Sequence, residues 1–131
     1  VSQLAERGGV VTPAQAEKAR QVGPALIEMA RRASAARVRF AFGTDSGVSP
    51  HGMNAREFQL LVEAGFTPLQ AIQMATVNAA DHLQLEGVAG RIAPGYSADI
   101  IAVDGDPLAD VAVLMQTPFV MARGRVFDGV D

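Results

Sequence analysis

The sequence contains no cysteine and no tryptophan, and it has only one lysine, Lys18, and two histidines, His51 and His82. Without cysteine, the chain can form neither a disulfide nor a metal site built from thiolates. The formal net charge of −3 provides no basic surface for nucleic acid and no polybasic patch for a membrane. No apolar run approaches the ~20 residues that a membrane span requires. We therefore expect a globular domain without a nucleic-acid or membrane partner.

The chain begins with Val1 rather than methionine, in a segment that leads into a helical pattern. We therefore expect the amino terminus of a longer protein to be missing, so that the lack of a signal peptide says little about the parent. The absence of cysteine suits a reducing compartment, and on that ground we expect a cytoplasmic protein. Hydrophobic residues make up 49 % of the chain, which argues against disorder and provides for a core.

A long amphipathic helix is predicted near the start of the chain. Thr12-Pro13 gives a hydroxyl N-cap followed by proline, and apolar residues then recur every three or four positions as far as Ala33. Gly23-Pro24 lies inside this pattern and predicts a kink or a break in the helix.

Two shorter helices are predicted further along. The first begins at Asn54, as N-cap, and ends at Glu63, with Glu57 as the partner residue of a capping box. The second opens with Thr67-Pro68 and is predicted to end near Asn78. The Asn78 side chain is interpreted as one that satisfies a backbone group where an element ends.

The segment between the long helix and these shorter ones combines a strand pattern with polar loop residues. Residues 38–43 alternate between large apolar side chains and small or charged ones, which is the period-2 pattern of a strand. Strand parity puts Asp45 on the face of Arg39 and Ala41, provided that the extended backbone persists that far. An acid carried on a glycine-rich loop beyond a buried strand is how α/β enzymes present a catalytic carboxylate. An aspartate in such a loop is also common as a turn residue, so the pattern leaves both roles open.

After Gly87 the pattern changes from helices to short strands and turns. Residues 98–103 predict a compact apolar strand, and residues 119–127 predict two strands around a tight Arg-Gly turn. We therefore divide the chain into residues 1–86 and residues 87–131.

One internal strand flanked by helices cannot form a sheet, because a buried parallel strand needs neighbouring strands. The predicted helices also need a surface against which to bury their apolar faces. The chain is therefore either the last part of a larger α/β protein with a small β module attached, or an independent α+β domain. The pattern alone favours neither.

Three stretches in series resemble the amidohydrolase superfamily. Phe42-Gly43-Thr44-Asp45-Ser46-Gly47, followed by His51-Gly52, resembles the loop after the eighth barrel strand of that family. Residues 63–80 resemble the helical pair behind that strand, and residues 90–108 resemble the return to the small β-sandwich of the family. Within the superfamily, the loop most resembles the imidazolonepropionase-like and Xaa-Pro dipeptidase-like branch.

The resemblance implies an α/β fold in which residues 1–86 are the carboxyl-terminal part of a (β/α)8 TIM barrel, namely its last strand and flanking helices. Residues 87–131 would then supply strands of the small β-sandwich domain. It also implies a metal-dependent hydrolase of carbon–nitrogen bonds that uses one or two divalent ions, expected to be zinc, in a parent expected to be a homo-oligomer. The expected substrate is a small molecule or a dipeptide, with an Xaa-Pro dipeptide, a cyclic amide and an imidazolone ring all open.

By the same resemblance, Asp45 matches the aspartate that ligates the metal and moves a proton between the hydrolytic water and the leaving group. His51 and Ser46 lie in the same loop and are expected to contact the substrate. The other metal ligands of the family have no counterpart here, and Asp45 with His51 falls short of the three or four ligands of a zinc site. We therefore expect the isolated chain to be inactive. The alternative function is a non-catalytic α+β module that binds a partner through its helix faces.

Overall fold

The computed structural model describes residues 12–45 and 52–127. Helices dominate the first of the two predicted parts, and short strands dominate the second. The elements in chain order are α1 Pro13–Ala35, α2 Arg56–Glu63, α3 Pro68–Ala75, α4 Val77–His82, β1 Ile100–Ala102, a 3-10 helix Val111–Met115, β2 Phe119–Ala122 and β3 Arg125–Phe127. None of the helices in the described ranges has both the length and the apolar character to cross a membrane.

Helix α1 begins as its sequence predicts. The Thr12 hydroxyl accepts a hydrogen bond from the Gln15 N–H, and the Gln15 side chain accepts one from the Thr12 N–H, which completes a capping box. The helix then runs through Pro24 to Ala35, so of the two predicted outcomes at Gly23-Pro24, a kink or a break, the break does not occur. A single proline removes one backbone hydrogen bond, and the 23-residue helix continues on either side of it.

Helix α2 begins later than predicted, at Arg56, and its N-cap is Ala55 rather than Asn54. Ala55 itself has helical dihedral angles (φ −64°, ψ −13°), so the helical backbone is already present one residue before Arg56. The Glu57 N–H donates to the Asn54 carbonyl at 3.1 Å, and Ala55 has no side-chain group that could cap the helix. Gly65, with φ of 99°, ends the helix in the left-handed region that glycine tolerates best.

Helix α3 has the predicted capping box, formed by Thr67 and Gln70. It ends at Ala75 rather than near Asn78, because Thr76 leaves the helical region with φ −123° and ψ −95°. The chain then resumes as the short helix α4. The predicted third helix is thus two helices joined by one non-helical residue.

The buried core lies between α2 and α3. Two aromatic pairs connect it to the segment that precedes α2: Phe40 packs edge-on against Phe66 with centroids 5.4 Å apart, and Phe42 stacks on Phe58 at 4.6 Å. The buried members of the core are Leu61, Ala64, Phe66, Ala71 and Met74.

The three strands form one antiparallel sheet in the order β1-β2-β3. Ile100 pairs with Met121, and Met121 pairs in turn with Val126. Arg123 and Gly124 form the predicted turn between β2 and β3, and both have positive φ (50° and 75°), as a two-residue hairpin turn of right-handed twist requires. The 3-10 helix, which was not predicted, packs against α2 and connects the sheet to the helical part.

Candidate functional site

Side-chain exposure alternates from residue 39 to residue 45, as in an extended chain, but within the described ranges residues 38–45 form no strand and pair with none. The predicted alternation of side chains is therefore present, but the predicted strand is not, because this segment has no strand to pair with in the described ranges. Phe40 and Phe42 are half-buried against the helices, whereas Arg39 and Ala41 are exposed on the other side. The two sides thus differ as predicted at residues 39–43, whereas Val38, which the pattern groups with Phe40 and Phe42, is 51 % exposed.

Asp45 lies at the end of this alternation. Thr44 is half-buried and Asp45 is exposed, so Asp45 continues the side of Ala41 and Gly43 that faces away from the helices. Its φ of 46° shows that the extended backbone ends at this residue. Aspartate is among the few non-glycine residues that enter the left-handed region readily, and strained positions of this kind cluster at functional sites.

Two hydrogen bonds from helices α3 and α4 (the helix pair) hold the segment of residues 38–45. The Phe42 N–H donates to the Met74 carbonyl at 3.0 Å, and the Asn78 carboxamide donates to the Phe40 carbonyl at 3.1 Å. Asn78 does satisfy a backbone group, as predicted, but that group is 38 residues away in the chain. The sequence contains no local signal for this partner, because the contact exists only once the helices have packed.

An ion pair between Arg39 and Asp81 lies at the beginning of the segment, at the end remote from Asp45. The pKa of Asp81 lies below its ordinary value, first because of its hydrogen bond with Glu86 and second because of the Arg39 guanidinium. The Arg39 side chain is 71 % exposed, and exposed ion pairs contribute little to stability. A cavity of about 180 Å³ beside this pair is lined by Arg39, Phe40, Ala41, Asn78, Asp81 and His82, and Asp45 is not part of it.

The described residues do not fit a complete metal site. Among them, no three histidine, aspartate or glutamate side chains lie close enough together to hold an ion. Asp45 offers one carboxylate, whereas a catalytic zinc ion needs about three protein ligands. Ser46 and His51, the predicted substrate contacts, lie outside the described residues, so their role stays a prediction.

The profile of the amidohydrolase family matches residues 1–127 of the chain. Among curated proteins, the ochratoxinase of Aspergillus niger is 38 % identical over 99 residues, which are 72 % of this chain and 20 % of the ochratoxinase. The adenine deaminase of Methanothrix thermoacetophila is 54 % identical over 46 residues, or 35 % of this chain and 8 % of the deaminase.

Among solved structures, a Xaa-Pro dipeptidase with methionine bound in its active site superposes with a TM-score of 0.87 and 37 % identity. The match covers 98 % of this chain and 32 % of the dipeptidase chain. The A. niger ochratoxinase structure gives a TM-score of 0.75 at 30 % identity, over 98 % of this chain and 30 % of the other. The matches therefore cover between 8 % and 32 % of these relatives.

Proposed function

Because the chain belongs to the amidohydrolase family, we propose that the whole protein hydrolyses carbon–nitrogen bonds and that this chain supplies the Asp45 carboxylate to its active site. The expected fold is confirmed, since the chain superposes over 98–99 % of its length on amidohydrolase-family structures and carries a small antiparallel sheet. The reaction itself concerns the whole protein, of which this chain corresponds to about a third by comparison with the dipeptidase.

The observation that carries the proposal is the position of Asp45 at the end of an extended segment with two unlike sides. In a closed barrel, one side of each strand faces the helices and the other faces the interior. Phe40 and Phe42 occupy the helix side, so Ala41 and Gly43 belong to the interior side, and Asp45 follows them. Barrel enzymes hold their catalytic groups at the carboxyl ends of their strands, which is where this segment ends.

The proposed role of Asp45 is that of a proton acceptor and donor. As the water oxygen bonds to the substrate carbonyl carbon, the carboxylate takes a proton from that water. As the carbon–nitrogen bond breaks, the same carboxyl returns the proton to the departing nitrogen, so that protons balance over the cycle. An exposed carboxylate at the open end of the segment is suited to both transfers.

Asp45 is also proposed as one ligand of a divalent ion whose remaining ligands come from outside this chain. The described residues alone do not form such a site, so this part of the proposal depends on the family and on the chemistry of the carboxylate. Zinc is the predicted ion.

For the substrate, we propose the amide bond of a dipeptide. The Xaa-Pro dipeptidase and the ochratoxinase both superpose over 98 % of the chain, but the dipeptidase does so with the higher TM-score (0.87 against 0.75) and identity (37 % against 30 %), which supports a dipeptide. Ser46 and His51, next to Asp45 in the chain, are proposed to contact the substrate.

The test is the Asp45→Asn variant of the whole protein, assayed for turnover of Xaa-Pro dipeptides. Since general acid–base catalysis contributes about 10²- to 10⁴-fold, we expect kcat to fall by at least about 100-fold while the circular dichroism spectrum is unchanged. Asp104→Asn is the matched control, because Asp104 is an exposed aspartate in a turn of the β-rich part. Turnover of Asp45→Asn equal to that of Asp104→Asn would refute the proposed role.

A further inference from the structure

The break between α3 and α4 leaves the Met74 carbonyl without its helical hydrogen-bond partner, so that it can accept a bond from another segment. In an uninterrupted α-helix, the Met74 carbonyl would accept the N–H of Asn78, four residues on. Thr76, with φ −123° and ψ −95°, interrupts that pattern. The Met74 carbonyl instead accepts the N–H of Phe42 at 3.0 Å. The break thus converts an internal helix bond into a bond to the segment that carries Asp45.

The Asn78 side chain makes a second bond to the same segment. Its Nδ2 donates to the Phe40 carbonyl at 3.1 Å. Because alternate residues of an extended chain point their backbone groups to the same edge, the Phe40 carbonyl and the Phe42 N–H lie on one edge. The helix pair therefore bonds two successive sites of that edge.

The break is held in place by further contacts. The Thr76 hydroxyl donates to the Ile72 carbonyl at 2.8 Å. Gly90, with φ of 86°, approaches so closely that a Cβ on it would lie 2.9 Å from both the Thr76 carbonyl oxygen and the Ala80 Cβ. Such close packing leaves little room for Thr76 to return to a helical conformation.

Hydrogen bonds and aromatic contacts restrain the segment in different ways. The pairs Phe40–Phe66 and Phe42–Phe58 decide which side of the segment faces the helices. Apolar contacts are not directional, and they tolerate sliding of the segment along its own axis. Hydrogen bonds require a short distance and a narrow angle, and they fix the position along that axis.

We propose that Asn78 is a positioning residue for Asp45: together with the Met74 carbonyl, it fixes the register of the segment and thereby the place of the carboxylate. This inference rests on the proposed function of Asp45. Asp45 lies three residues beyond Phe42, a distance of ~10 Å in extended chain, and a slip by two residues, which keeps the phenylalanines on the helix side, would move it by ~6.6 Å. Asn78 itself touches the backbone of the segment and not the reacting atoms.

The test uses the whole protein with the variants Asn78→Ala and Asn78→Asp. The aspartate variant keeps the shape of the side chain but removes both N–H donors, so it tests the proposal even where the alanine variant does not fold. Gln73→Ala is the matched control, since it removes a carboxamide from the same helix pair. Gln73 is exposed and makes no side-chain hydrogen bond to any residue in the described ranges.

Two measurements are compared. Because small displacements of catalytic groups lower the rate by up to about 100-fold, we expect kcat of both Asn78 variants to fall about tenfold or more, with KM within about twofold of the original. Hydrogen exchange at the Phe42 amide should be at least about tenfold faster, because the segment without the Asn78–Phe40 bond separates more often from the Met74 carbonyl that this amide contacts. Gln73→Ala should change neither quantity.

The outcomes separate this inference from the proposed function. If Asp45→Asn is inactive but the Asn78 variants keep the original kcat, the positioning role is refuted and the role of Asp45 stands. If the Phe42 amide exchanges at its original rate in both Asn78 variants, the inference is refuted whatever the activity. If Asp45→Asn is fully active, the positioning role falls together with the proposed function.

Discussion

Two parts of the chain are extended, and they differ in the groups to which their backbone N–H and carbonyl groups are hydrogen-bonded. Strands β1, β2 and β3 pair with one another in a continuous antiparallel register. The segment of residues 38–45, in contrast, pairs with no strand in the described ranges and is bonded by a helix carbonyl and an asparagine. Antiparallel strands close through two-residue turns such as Arg123-Gly124, whereas parallel strands need a crossover of a dozen or more residues.

The difference shows which part of the fold is locally complete. The sheet draws its strands from residues 100–127, and its hairpin needs no distant residue. The extended segment has the side-chain pattern of a barrel strand, but its neighbours would have to come from elsewhere in the protein. The match to only 32 % of the dipeptidase chain accords with that reading.

The helical part of the chain also exposes apolar side chains that a complete barrel would cover. In the described part of the chain, no large side chain is less than 2 % exposed, and several large apolar side chains are about half exposed. On α1 these are Leu26, at 55 %, and Met29, at 50 %, and Val38 at the beginning of the extended segment is 51 % exposed. Helices of a barrel normally bury such residues against the sheet and neighbouring helices.

The largest expected effect concerns the 131-residue chain on its own. We expect a broad, non-cooperative transition in heat or urea and strong binding of a hydrophobic dye, because the helices lack the sheet that they would cover. Hydrogen exchange should protect the β2–β3 hairpin more than residues 38–45. A sharp two-state transition with uniform protection would instead favour the independent α+β module.

The second effect compares one phenylalanine from each extended part, in the whole protein. Phe42→Ala removes the ring stacked on Phe58, and we expect a loss of about 2–3 kcal/mol in unfolding free energy, since the ring is half-buried. Phe127→Ala removes a ring that is 45 % exposed and lies near Arg125, and we expect a loss below about 1 kcal/mol. Urea unfolding measures both, and equal losses would contradict the unequal packing of the two parts.

The smallest effect is a difference in pH dependence. Burial raises the pKa of Glu57 above its ordinary value, so its contribution to stability is present below about pH 4.5 and is lost as the pH rises through the folded pKa. The hydrogen bond from the Arg123 N–H lowers the pKa of Asp99, so its contribution is present above about pH 3.8 and is lost as the pH falls through the folded pKa.

We therefore expect Glu57→Gln to raise the melting temperature slightly at pH 7 and not at pH 4. Asp99→Ala should speed hydrogen exchange at the Arg123 amide at pH 7, and the two proteins should converge as the pH falls below the folded pKa of Asp99. Thermal unfolding and hydrogen exchange across pH 3–7 check both variants. If the contributions of Glu57 and Asp99 to stability changed in the same direction as the pH rises, the opposite pKa shifts of these two residues would be contradicted.

The features that the sequence predicts well depend on neighbours in the chain. Thr12-Pro13 and Thr67-Pro68 start helices because the groups that form each capping box are only three residues apart. The turn at Arg123-Gly124 depends only on the φ and ψ angles of these two residues. The start of α2 is predicted less exactly, since the helix begins at Arg56 while the backbone is already helical at Ala55.

The site is predictable only in part, for a physical reason. The parity of residues 38–43 predicts Asp45 on the side away from the helices, and Asp45 is exposed, although its φ of 46° departs from the extended backbone. The bond between Asn78 and Phe40 depends on packing across 38 residues and has no local signal. The domain boundary at residues 86 and 87, the oligomeric state and the cytoplasmic location stay predictions.

The most direct test of the central claim compares Asp45→Glu with Asp45→Asn in the whole protein, by kcat on an Xaa-Pro dipeptide. Glutamate keeps a carboxylate but moves it by one methylene, whereas asparagine removes the proton acceptor. The account predicts that both variants lose activity and that Asp45→Glu retains at least about tenfold more kcat than Asp45→Asn, because a displaced base still accepts protons. Full activity in Asp45→Asn would contradict it.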